Sequence, residues 1–391
     1  MKIAIFTETY YPFISGVVTH IETLKNGLEA AGHEVLIVTT NPKAITHYMK
    51  NGILYCPAIP LKRIYGYGFA NPLNLQRLRI IQEFDPDIIH IHTEFSMGIF
   101  AQFAAKRLHK PIVYTLHTMY DDYLFYVAPD KFQNMVKPAA HAYFRSVANS
   151  ATEVIGPSLK VVEFLRRCGV QRHINIIPNT VDLSDFLPQN VKAEDIAAVR
   201  EKLDIRPDDV AMLFVGRLGK EKSIDVLIDY LAREFKGDGH VKLFIIGDGP
   251  EKDNLLAQIK ALDMEKQVRL LGRFEHSVLP PYYHACDIFS TASLSEMNSI
   301  SMLEAMASGL YVLQRFDLYN KDQILPGENG NTFTNAAELA ALVREEAALD
   351  PAARKQRRAG VTACATRYGE KEFIAAVMDV YERAVAEYRP K

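Results

Sequence analysis

The sequence predicts an α/β protein of two doubly wound domains, and three observations support this prediction. Short apolar runs alternate with longer amphipathic ones, which is typical of parallel strands covered by helices. The pattern restarts in the second half of the chain, after the polar and proline-containing stretch Leu183–Asp209. The length of 391 residues exceeds what one core usually organises, so we expect domains at residues 1–185 and 186–369.

In the first half, predicted strands are short apolar segments and predicted helices lie between them. Strands are expected at Lys2–Thr7, Glu34–Thr39, Asp87–His92, Ile112–His117, Glu153–Ile155 and Ile174–Ile177. The helical spacing of apolar residues predicts helices at His20–Ala31 and Met97–Leu108.

The second half repeats this alternation. Strands are expected at Ala211–Val215, Val241–Ile246, Val268–Leu271, Ile288–Thr291 and Tyr311–Leu313. Helices are expected near Ile224–Phe235, Glu251–Leu262 and Ile300–Ser308. The last amphipathic segment, Glu370–Tyr388, has no strand after it, so we expect residues 370–391 to form a helix that packs back on the first domain.

Composition excludes several classes of protein. Hydrophobic residues make up 48% and charged residues 24% of the chain, which excludes intrinsic disorder. The formal net charge of -2 argues against a nucleic-acid partner. The four cysteines lie far apart without a CxxC pair, so neither a disulfide framework nor a zinc site is indicated. We expect a cytoplasmic protein without a signal peptide or membrane span.

One long segment, Val35–Gln82, contains basic residues but no acidic residue. The basic residues are Lys43, Lys50, Lys62, Arg63, Arg77 and Arg79, with tyrosines among them. Cations mixed with aromatic residues suit an anionic lipid surface. A solvated face with tyrosines packed beneath it explains the pattern equally well, so both interpretations stay open.

Polar residues that follow predicted strands are the main candidates for chemistry, since ligands of doubly wound sheets bind beyond the carboxyl ends of the strands. The strand Ala211–Val215 leads into a loop with Arg217 and Lys222 and then into a helix. Two cations beside a helix N-terminus suit a diphosphate, although a solvated basic loop has the same spacing. In the first domain, Gly16 precedes a helix and either admits a phosphate or marks an ordinary turn.

A second polar cluster follows the predicted strand Ile288–Thr291. Glu296 lies in the loop, and the next helix is expected to begin near Asn298 or Ser299. Glu304 lies inside this apolar helix, where a carboxylate needs polar partners such as ribose hydroxyls. Alternatively, Glu296 is only a negative charge that complements the helix dipole at the helix start, and Glu304 is a partly exposed side chain. The N–H groups expected to face an anion are those of Ser299, Ile300 and Ser301.

Four histidines lie on predicted elements where they would reach a ligand. His117 ends its strand at the carboxyl edge and would polarise a reacting group, although a lone histidine is more often structural. His20, on the first helix, would approach a ligand or cap a turn. His90 and His92 share one face of their strand, but without a third ligand we expect no metal site.

Together these segments resemble the retaining nucleotide-sugar glycosyltransferases of family 4. That family has the GT-B fold, two Rossmann-like doubly wound domains with a cleft between them. The resemblance rests on GRL…K at Gly216–Lys222 with E-x7-E at Glu296–Glu304, and on GDGPE, IPNTVD and EAMASG beginning at 247, 177 and 304. In the first domain, ISGVVTH, HIHTEFSMG and VYTLHTMYDDYLFYV, beginning at 14, 90 and 113, are similar to bacterial diacylglycerol α-glucosyltransferases.

The resemblance implies a role for each candidate residue. Arg217 and Lys222 would bind the donor diphosphate and stabilise its leaving charge. Glu296 would contact the donor hexose and His117 would lie beside the bond that breaks, which completes the expected catalytic set. The expected donor-binding residues are Gly16, Arg217, Lys222, Asn298, Ser299, Ile300 and Glu304. Acceptor contacts are expected at His20, Tyr120, Tyr123 and Tyr126, and no metal ligand is expected.

Two departures from the family pattern bear on specificity. Ser15-Gly16 stands where the family often has two glycines, and Met297-Asn298-Ser299 stands where it commonly has Thr-Gln-Gly. Because residues 297 and 298 lie where hexose hydroxyls would be recognised, the choice between glucose and galactose stays open.

The resemblance implies transfer of a hexose, with glucose favoured, from a UDP-hexose to diacylglycerol with retention of configuration. The alternatives are transfer of glucose or galactose onto an existing glycolipid, and sugar-nucleotide or lipid binding without turnover. No cofactor is expected to be required, and a divalent cation is expected at most to stimulate the reaction. The expected location is an anionic membrane surface, at the inner face of the cell membrane.

Overall fold

The computed structural model describes residues 1–11, 15–61, 67–117, 130–296, 298–318, 323–365 and 369–389. The chain divides into two compact units, Met1–Val181 with Glu370–Lys391, and Asp182–Gly369. Each unit has its own sheet of mainly parallel strands with helices packed on it, so the predicted fold class is confirmed. The first division falls at Val181, a few residues before the expected boundary at 185.

The first unit is built on an eight-stranded sheet in the order β10-β9-β8-β7-β1-β2-β4-β3. Its pairs are parallel except β3 with β4, and β5 and β6 form a separate antiparallel pair. The strands are β1 (Lys2–Thr7), β2 (Glu34–Asn41), β3 (Tyr48–Lys50), β4 (Ile53–Pro57), β5 (Ile59–Leu61), β6 (Tyr67–Phe69), β7 (Ile88–Ile91), β8 (Ile112–Thr115), β9 (Glu153–Gly156) and β10 (Asn175–Ile176). The helices are α1 (Gly16–Ala30), α2 (Leu75–Phe84), α3 (Ser96–Leu108), α4 (Asp130–Ser150) and α5 (Leu159–Arg167).

The second unit has a six-stranded parallel sheet in the order β13-β12-β11-β14-β15-β16. Its strands are β11 (Val210–Val215), β12 (Val241–Ile246), β13 (Val268–Gly272), β14 (Ile288–Thr291), β15 (Tyr311–Arg315) and β16 (Gly330–Phe333). Its helices are α6 (Ala193–Lys202), α7 (Ile224–Phe235), α8 (Lys252–Ala261), α9 (Pro280–Ala285), α10 (Ile300–Ala307), α11 (Ala336–Ala347) and α12 (Pro351–Ala365).

The strand order fixes where each sheet can bind a ligand. In the first unit, β1 lies between β2 and β7, and in the second, β11 lies between β12 and β14. The chain therefore winds outward in both directions from β1 and from β11. A crevice opens beyond the carboxyl ends of the strands at such a switch point, because the loops there diverge. The residues that follow β1, β7, β11 and β14 are thus the positions to inspect.

The last helix, α13 (Glu370–Glu387), belongs to the first unit and packs on α1, β7, β8 and β9. Phe373, Val377 and Tyr381 are buried in the apolar cluster that also contains the inner face of α1. The helices approach closely at Gly27, where an added Cβ would lie 2.5 Å from the Ile374 side chain. Among the described helices, none combines the length and the apolar composition that a membrane crossing needs.

Candidate active site

The switch point of the second unit carries three of the predicted functional residues. Strand β11 ends at Val215, and a short 3-10 turn, Lys220–Lys222, leads into α7. Arg217 precedes this turn and Lys222 lies within it. The loop after β14 carries Glu296 and ends where α10 begins.

A glycine-containing loop after β12 supports the loop that carries Arg217. Leu218 N donates to Asp248 O, and Glu251 N donates to Leu218 O, both at 3.0 Å. The two backbones lie so close that a Cβ on Gly247 would be 1.8 Å from Gly216 O. A side chain at 247 would therefore displace the Arg217 loop, which explains the glycine in the GDGPE segment.

Arg217 is held by a buried carboxylate that the sequence analysis did not identify. Arg217 Nη2 lies 2.6 Å from Glu221 Oε1, and the Glu221 side chain is 1% exposed against 30% for Arg217. A buried acceptor on one side and partial exposure on the other orient the guanidinium toward the loop surface. The spacing of four residues between Arg217 and Glu221 was the available signal, but it is common on solvated surfaces.

Lys222 and Glu296 are paired with each other. Lys222 Nζ lies 2.7 Å from Glu296 Oε1, and both side chains are largely buried. This contact joins the loop after β11 to the loop after β14, so the predicted diphosphate and hexose residues are neighbours. Their roles toward a donor stay predictions.

The start of α10 differs in one respect from the expected anion site. Ser299 is the N-cap residue, but its N–H donates to Gln323 Oε1 at 2.9 Å, and Gln323 Nε2 donates back to Ser299 O at 2.9 Å. The buried amide of Gln323 thus uses the N–H that was expected to face a phosphate. Ile300 and Ser301 lie in the first helical turn, where N–H groups have no intrahelical acceptor. Asn298 is buried beside them.

Glu304 is buried one turn farther along α10, and both of its carboxylate oxygens are hydrogen-bonded. His276 Nε2 lies 2.8 Å from Oε1, and the Tyr283 hydroxyl donates to Oε2 at 2.7 Å. The hydrogen bond to Glu304 raises the pKa of His276 above 6.5, with partial burial opposing it. Burial, reinforced by Glu304, raises the pKa of Tyr283 well above 10. Glu304 is therefore a fixed acceptor, not the partly exposed side chain of the alternative interpretation.

In the first unit, Gly16 opens α1 and the preceding serine caps it. Ser15 is the N-cap residue, and its side chain accepts a hydrogen bond from Val18 N at 3.3 Å. The serine that replaces a glycine of the family pattern thus satisfies one of the free N–H groups of the first turn.

Four histidines meet at the carboxyl ends of β7 and β8. His92 Nδ1 lies 2.8 Å from His117 Nε2, and His92 Nε2 lies 3.2 Å from His90 Nδ1. The ring of His20, from α1, lies 4.7 Å from the ring of His117 between centroids. The structure thus brings together the predicted catalytic His117 and the predicted acceptor contact His20. We call these four residues the histidine cluster.

The histidine cluster is held uncharged by its surroundings. Burial lowers the pKa of His20 to about 4 and, with the charge of His20, that of His90 to about 3. Burial and neighbouring histidines lower the pKa of His92 and His117 well below 6.5. Each ring is therefore neutral near pH 7 and carries one N–H donor and one acceptor nitrogen.

The expectation that His90 and His92 form no metal site stays a prediction, but the structure gives His92 neighbours that the sequence analysis did not consider. The sequence offered no third ligand, but folding brings ring nitrogens of His20, His92 and His117 within 4.8 Å of one another. Two of these rings are hydrogen-bonded to each other, a contact that a bound ion would have to replace. The second such group in the described residues, around Asp209, has its carboxylate 2.8 Å from Lys242 Nζ.

Glu8, which ends the first strand region, is a further polar residue that the sequence analysis missed. It is buried, accepts from Met97 N at 2.6 Å and Ser96 Oγ at 3.0 Å, and contacts Thr93. Burial raises its pKa above 4.5. Glu8, which follows β1, therefore accepts hydrogen bonds from the start of α3. No local sequence pattern reveals this contact.

Arg77 corrects the interpretation of the basic segment. It is 1% exposed, with its guanidinium 4.5 Å from the centre of the Phe100 ring and donating to Asn71 O at 3.2 Å. It is a core residue and contributes nothing to a basic surface. Lys43 and Arg79 are exposed. The predicted acceptor residues Tyr120, Tyr123 and Tyr126, with Met297, Lys62 and Arg63, lie outside the described residues.

Two doubly wound units, the second with cations held by carboxylates at its switch point, are the arrangement expected of a glycosyltransferase with the GT-B fold. The family model described as Glycosyltransferase Family 4 matches residues 14–185, and Glycosyl transferases group 1 matches residues 195–360. The chain belongs to glycosyltransferase family 4, as the sequence motifs predicted, and is an enzyme that transfers a hexose.

Individual relatives cover both units. The alpha-monoglucosyldiacylglycerol synthase of Acholeplasma laidlawii is 34% identical over 343 residues, which are 87% of this chain and 86% of that protein. The Streptococcus pneumoniae protein of the same name is 33% identical over 346 residues, 88% of this chain and 78% of that protein. Among solved structures, Anabaena Alr3699/HepE in complex with UDP and glucose has a TM-score of 0.74 at 19% identity, covering 98% of this chain and 99% of that chain. The structural likeness supports the fold.

Proposed function

We propose that this enzyme transfers glucose from UDP-glucose to diacylglycerol and forms an α-linked monoglucosyl lipid. The observation that carries the proposal is the similarity, over both units, to two enzymes named alpha-monoglucosyldiacylglycerol synthase. UDP-glucose is itself α-linked, so an α-linked product means that the configuration is retained.

The second unit is suited to an anionic nucleotide-sugar donor. Arg217 and Lys222 lie in one loop at the switch point, beside the loop of Glu296. In the proposed reaction, the hydroxyl oxygen of diacylglycerol bonds to C1 of glucose on the face from which the diphosphate departs. The C1–O bond to UDP breaks, and the departing phosphate oxygen takes the hydroxyl proton. The two cations stabilise the charge that develops on the diphosphate.

No metal or other cofactor is needed in this proposal, since Arg217 and Lys222 supply the positive charge. Activity should therefore persist in the presence of a chelator, with at most a modest loss. Loss of nearly all activity on chelation, with recovery on addition of Mg²⁺, would contradict this part of the proposal.

The first unit exposes both apolar and basic side chains within one stretch of sequence, which suits a lipid surface. Ile45 is 94% exposed and Ile59 is 71% exposed, so neither side chain is packed in the core of the unit. Lys50 and Arg79 are exposed in the same stretch of sequence, which has no acidic residue. We propose that this surface, defined by Lys43, Ile45, Met49, Lys50, Ile59, Leu73, Leu75 and Arg79, binds an anionic membrane at the cytoplasmic face.

The activity assay uses pure protein with labelled UDP-glucose or UDP-galactose in anionic vesicles, with diacylglycerol, monoglucosyldiacylglycerol or neither. Lipid-extractable label from UDP-glucose that requires diacylglycerol supports the proposal, and the anomeric proton coupling in NMR then shows whether the product is α-linked. Label only with the glycolipid acceptor, or only from UDP-galactose, replaces it with the second-step alternative. Absence of label in every arm contradicts lipid glycosylation.

Vesicle sedimentation tests the membrane surface. Replacing Lys43, Lys50 and Arg79 by Gln should weaken binding to anionic vesicles on the order of 100-fold at low salt, because each basic residue near such a surface contributes about 1 kcal/mol. The matched control replaces Lys236, Lys260 and Lys266, exposed lysines of the second unit, by Gln. Equal weakening by both triple variants would show that net charge, and not this surface, determines binding.

A further inference from the structure

A buried hydroxyl of the C-terminal helix is joined to His117 through two other histidines. The Tyr381 hydroxyl, on α13, lies 2.7 Å from His90 Nδ1. The row then continues from His90 Nδ1 to His92 Nε2 at 3.2 Å and from His92 Nδ1 to His117 Nε2 at 2.8 Å. On its other side, His90 Nε2 lies 2.7 Å from Thr115 Oγ1.

The proton of Tyr381 sets the direction of the first hydrogen bond. Burial raises the pKa of Tyr381 well above its usual 10, so the phenol keeps its proton. A fully buried O–H needs an acceptor, and within the described residues His90 Nδ1 is the one in reach. The Tyr381 hydroxyl therefore donates to His90 Nδ1, and His90 carries its own proton on Nε2, where it donates to Thr115 Oγ1.

This direction propagates along the row, because a neutral imidazole has one donor and one acceptor nitrogen. His92 Nε2 lies 3.2 Å from His90 Nδ1, whose one lone pair accepts from Tyr381, so an unprotonated Nε2 would set two lone pairs against each other. The His92 tautomer with Nε2–H avoids this repulsion and shares the acceptor, which leaves His92 Nδ1 as an acceptor. His117 then donates to His92 from Nε2–H, and the lone pair of His117 is on Nδ1. Without the Tyr381 hydroxyl, His90 can carry its proton on Nδ1, and every hydrogen bond of the row can reverse.

We propose that Tyr381 is a positioning residue whose hydroxyl, through His90 and His92, fixes His117 in the tautomer with Nε2 protonated and Nδ1 free to accept. His117 then offers a substrate hydroxyl an acceptor nitrogen instead of a competing N–H. That use in catalysis rests on the proposed function, whereas the tautomer itself does not. The C-terminal helix thus contributes a specific atom to the site in addition to its apolar packing.

The test is ¹⁵N NMR of the histidine side chains in the whole protein, with the His117 signals assigned by their loss in His117→Gln. The wild type should show a protonated Nε2 and an unprotonated Nδ1 at His117. Tyr381→Phe, which removes one oxygen, should shift His117 to a mixture of tautomers or to the reverse one. Tyr388→Phe, just beyond the end of the same helix and outside the row, is the matched control and should leave the spectrum unchanged.

The kinetic consequence is a selective loss in kcat. Tyr381→Phe should lower kcat for lipid glucosylation about 10-fold, the smaller end of the range for partners that orient a functional histidine, with KM for UDP-glucose nearly unchanged. A wild-type His117 protonated on Nδ1, or a Tyr381→Phe spectrum identical to wild type, overturns the proposal whatever the activity. If Tyr381→Phe shifts the tautomer of His117 as expected but the protein glucosylates no lipid, the role of Tyr381 is supported and the proposed function is contradicted.

Discussion

The two units place very different side chains at the carboxyl ends of their strands. In the second unit, cations and carboxylates are paired: Arg217 with Glu221 and Lys222 with Glu296. In the first unit, the histidine cluster is neutral, and the nitrogens of His90 and His92 are hydrogen-bonded within the cluster or to hydroxyls. Both sites occur where the strand order reverses direction, so the fold explains their position but not their chemistry.

The difference teaches how the work of a glycosyl transfer can be divided. The leaving diphosphate accumulates charge, and only positive groups held in place before the reaction stabilise it without reorganisation. A neutral cluster adds no charge to its site, and instead offers directed donors and acceptors. If this division is right, variants of Arg217 and Lys222 should affect catalysis most. Variants of the histidine cluster should change how the free energy of unfolding depends on pH.

The largest effect is expected from Arg217→Ala combined with Lys222→Ala. Removing one preorganised donor to a developing charge typically lowers kcat by about 10²–10³-fold, so the double variant should lose at least about 10³-fold. UDP binding, measured by calorimetry, should weaken as well, because the same cations attract the diphosphate of the ground state.

Lys220→Ala is the matched control for the double variant, since Lys220 is an exposed cation of the same loop. It should retain nearly wild-type kcat. A loss of kcat below about 10-fold in the double variant, or an equal loss in Lys220→Ala, would contradict the specific role of Arg217 and Lys222. The general positive charge of the loop would then be sufficient.

The second prediction concerns acid stability and His20. Its folded-state pKa of about 4 lies below the usual 6.5, so between these values the unfolded chain binds a proton that the folded chain does not. The free energy of unfolding must therefore fall as the pH drops from 6.5 to 4, by about 3 kcal/mol from this residue. His20→Leu, which cannot titrate, should lose less stability over the same range in denaturant titrations.

The buried Nδ1 of His20 has no hydrogen-bond partner in the described residues, so at pH 7 the leucine should be tolerated well. His173→Leu, at an exposed position of the same unit, is the comparison variant. If His20→Leu and wild type lose stability in parallel between pH 6.5 and 4, the neutral character assigned to the cluster is contradicted.

The same contrast shows which parts of the site the sequence could predict. Arg217, Lys222 and Glu296 follow buried apolar strands by a few residues. Such elements were predicted well, since strands β12 and β14 and helix α7 have the predicted bounds. The local sequence thus places these residues at the strand ends without any long-range information. Their pairing with one another required the strand order, because β14 lies beside β11 although 74 residues separate Lys222 from Glu296.

Residues that act across larger separations were missed. His276 is 28 residues from Glu304, and Tyr381 is 291 residues from His90, so no spacing rule connects them. In the fold, the stretch Leu183–Asp209 was predicted as a polar join but contains α6. That helix buries only Val199, and a helix that is polar nearly all round has no periodic apolar signal to detect.

The smallest expected effect concerns His276, which is hydrogen-bonded to Glu304 in the second unit. Glu304 raises the pKa of His276 above 6.5, so the protonated imidazole is stabilised in the folded state. This contribution is fully present below pH 6.5 and is lost as the pH rises through the raised pKa. Because the His276 side chain is 41% exposed, solvent screens the pair and the contribution should stay below about 1 kcal/mol.

Denaturant titrations of His276→Gln, Glu304→Gln and the double variant measure this contribution as a coupling free energy at several pH values. The coupling should be larger at pH 6 than at pH 9, which is the opposite direction to the acid response of His20. Tyr283→Phe, which removes the other partner of Glu304, cannot titrate in this range and should leave that pH dependence in place. A coupling independent of pH would mean that His276 stays neutral beside Glu304, and the contrast between this histidine and the neutral histidine cluster would disappear.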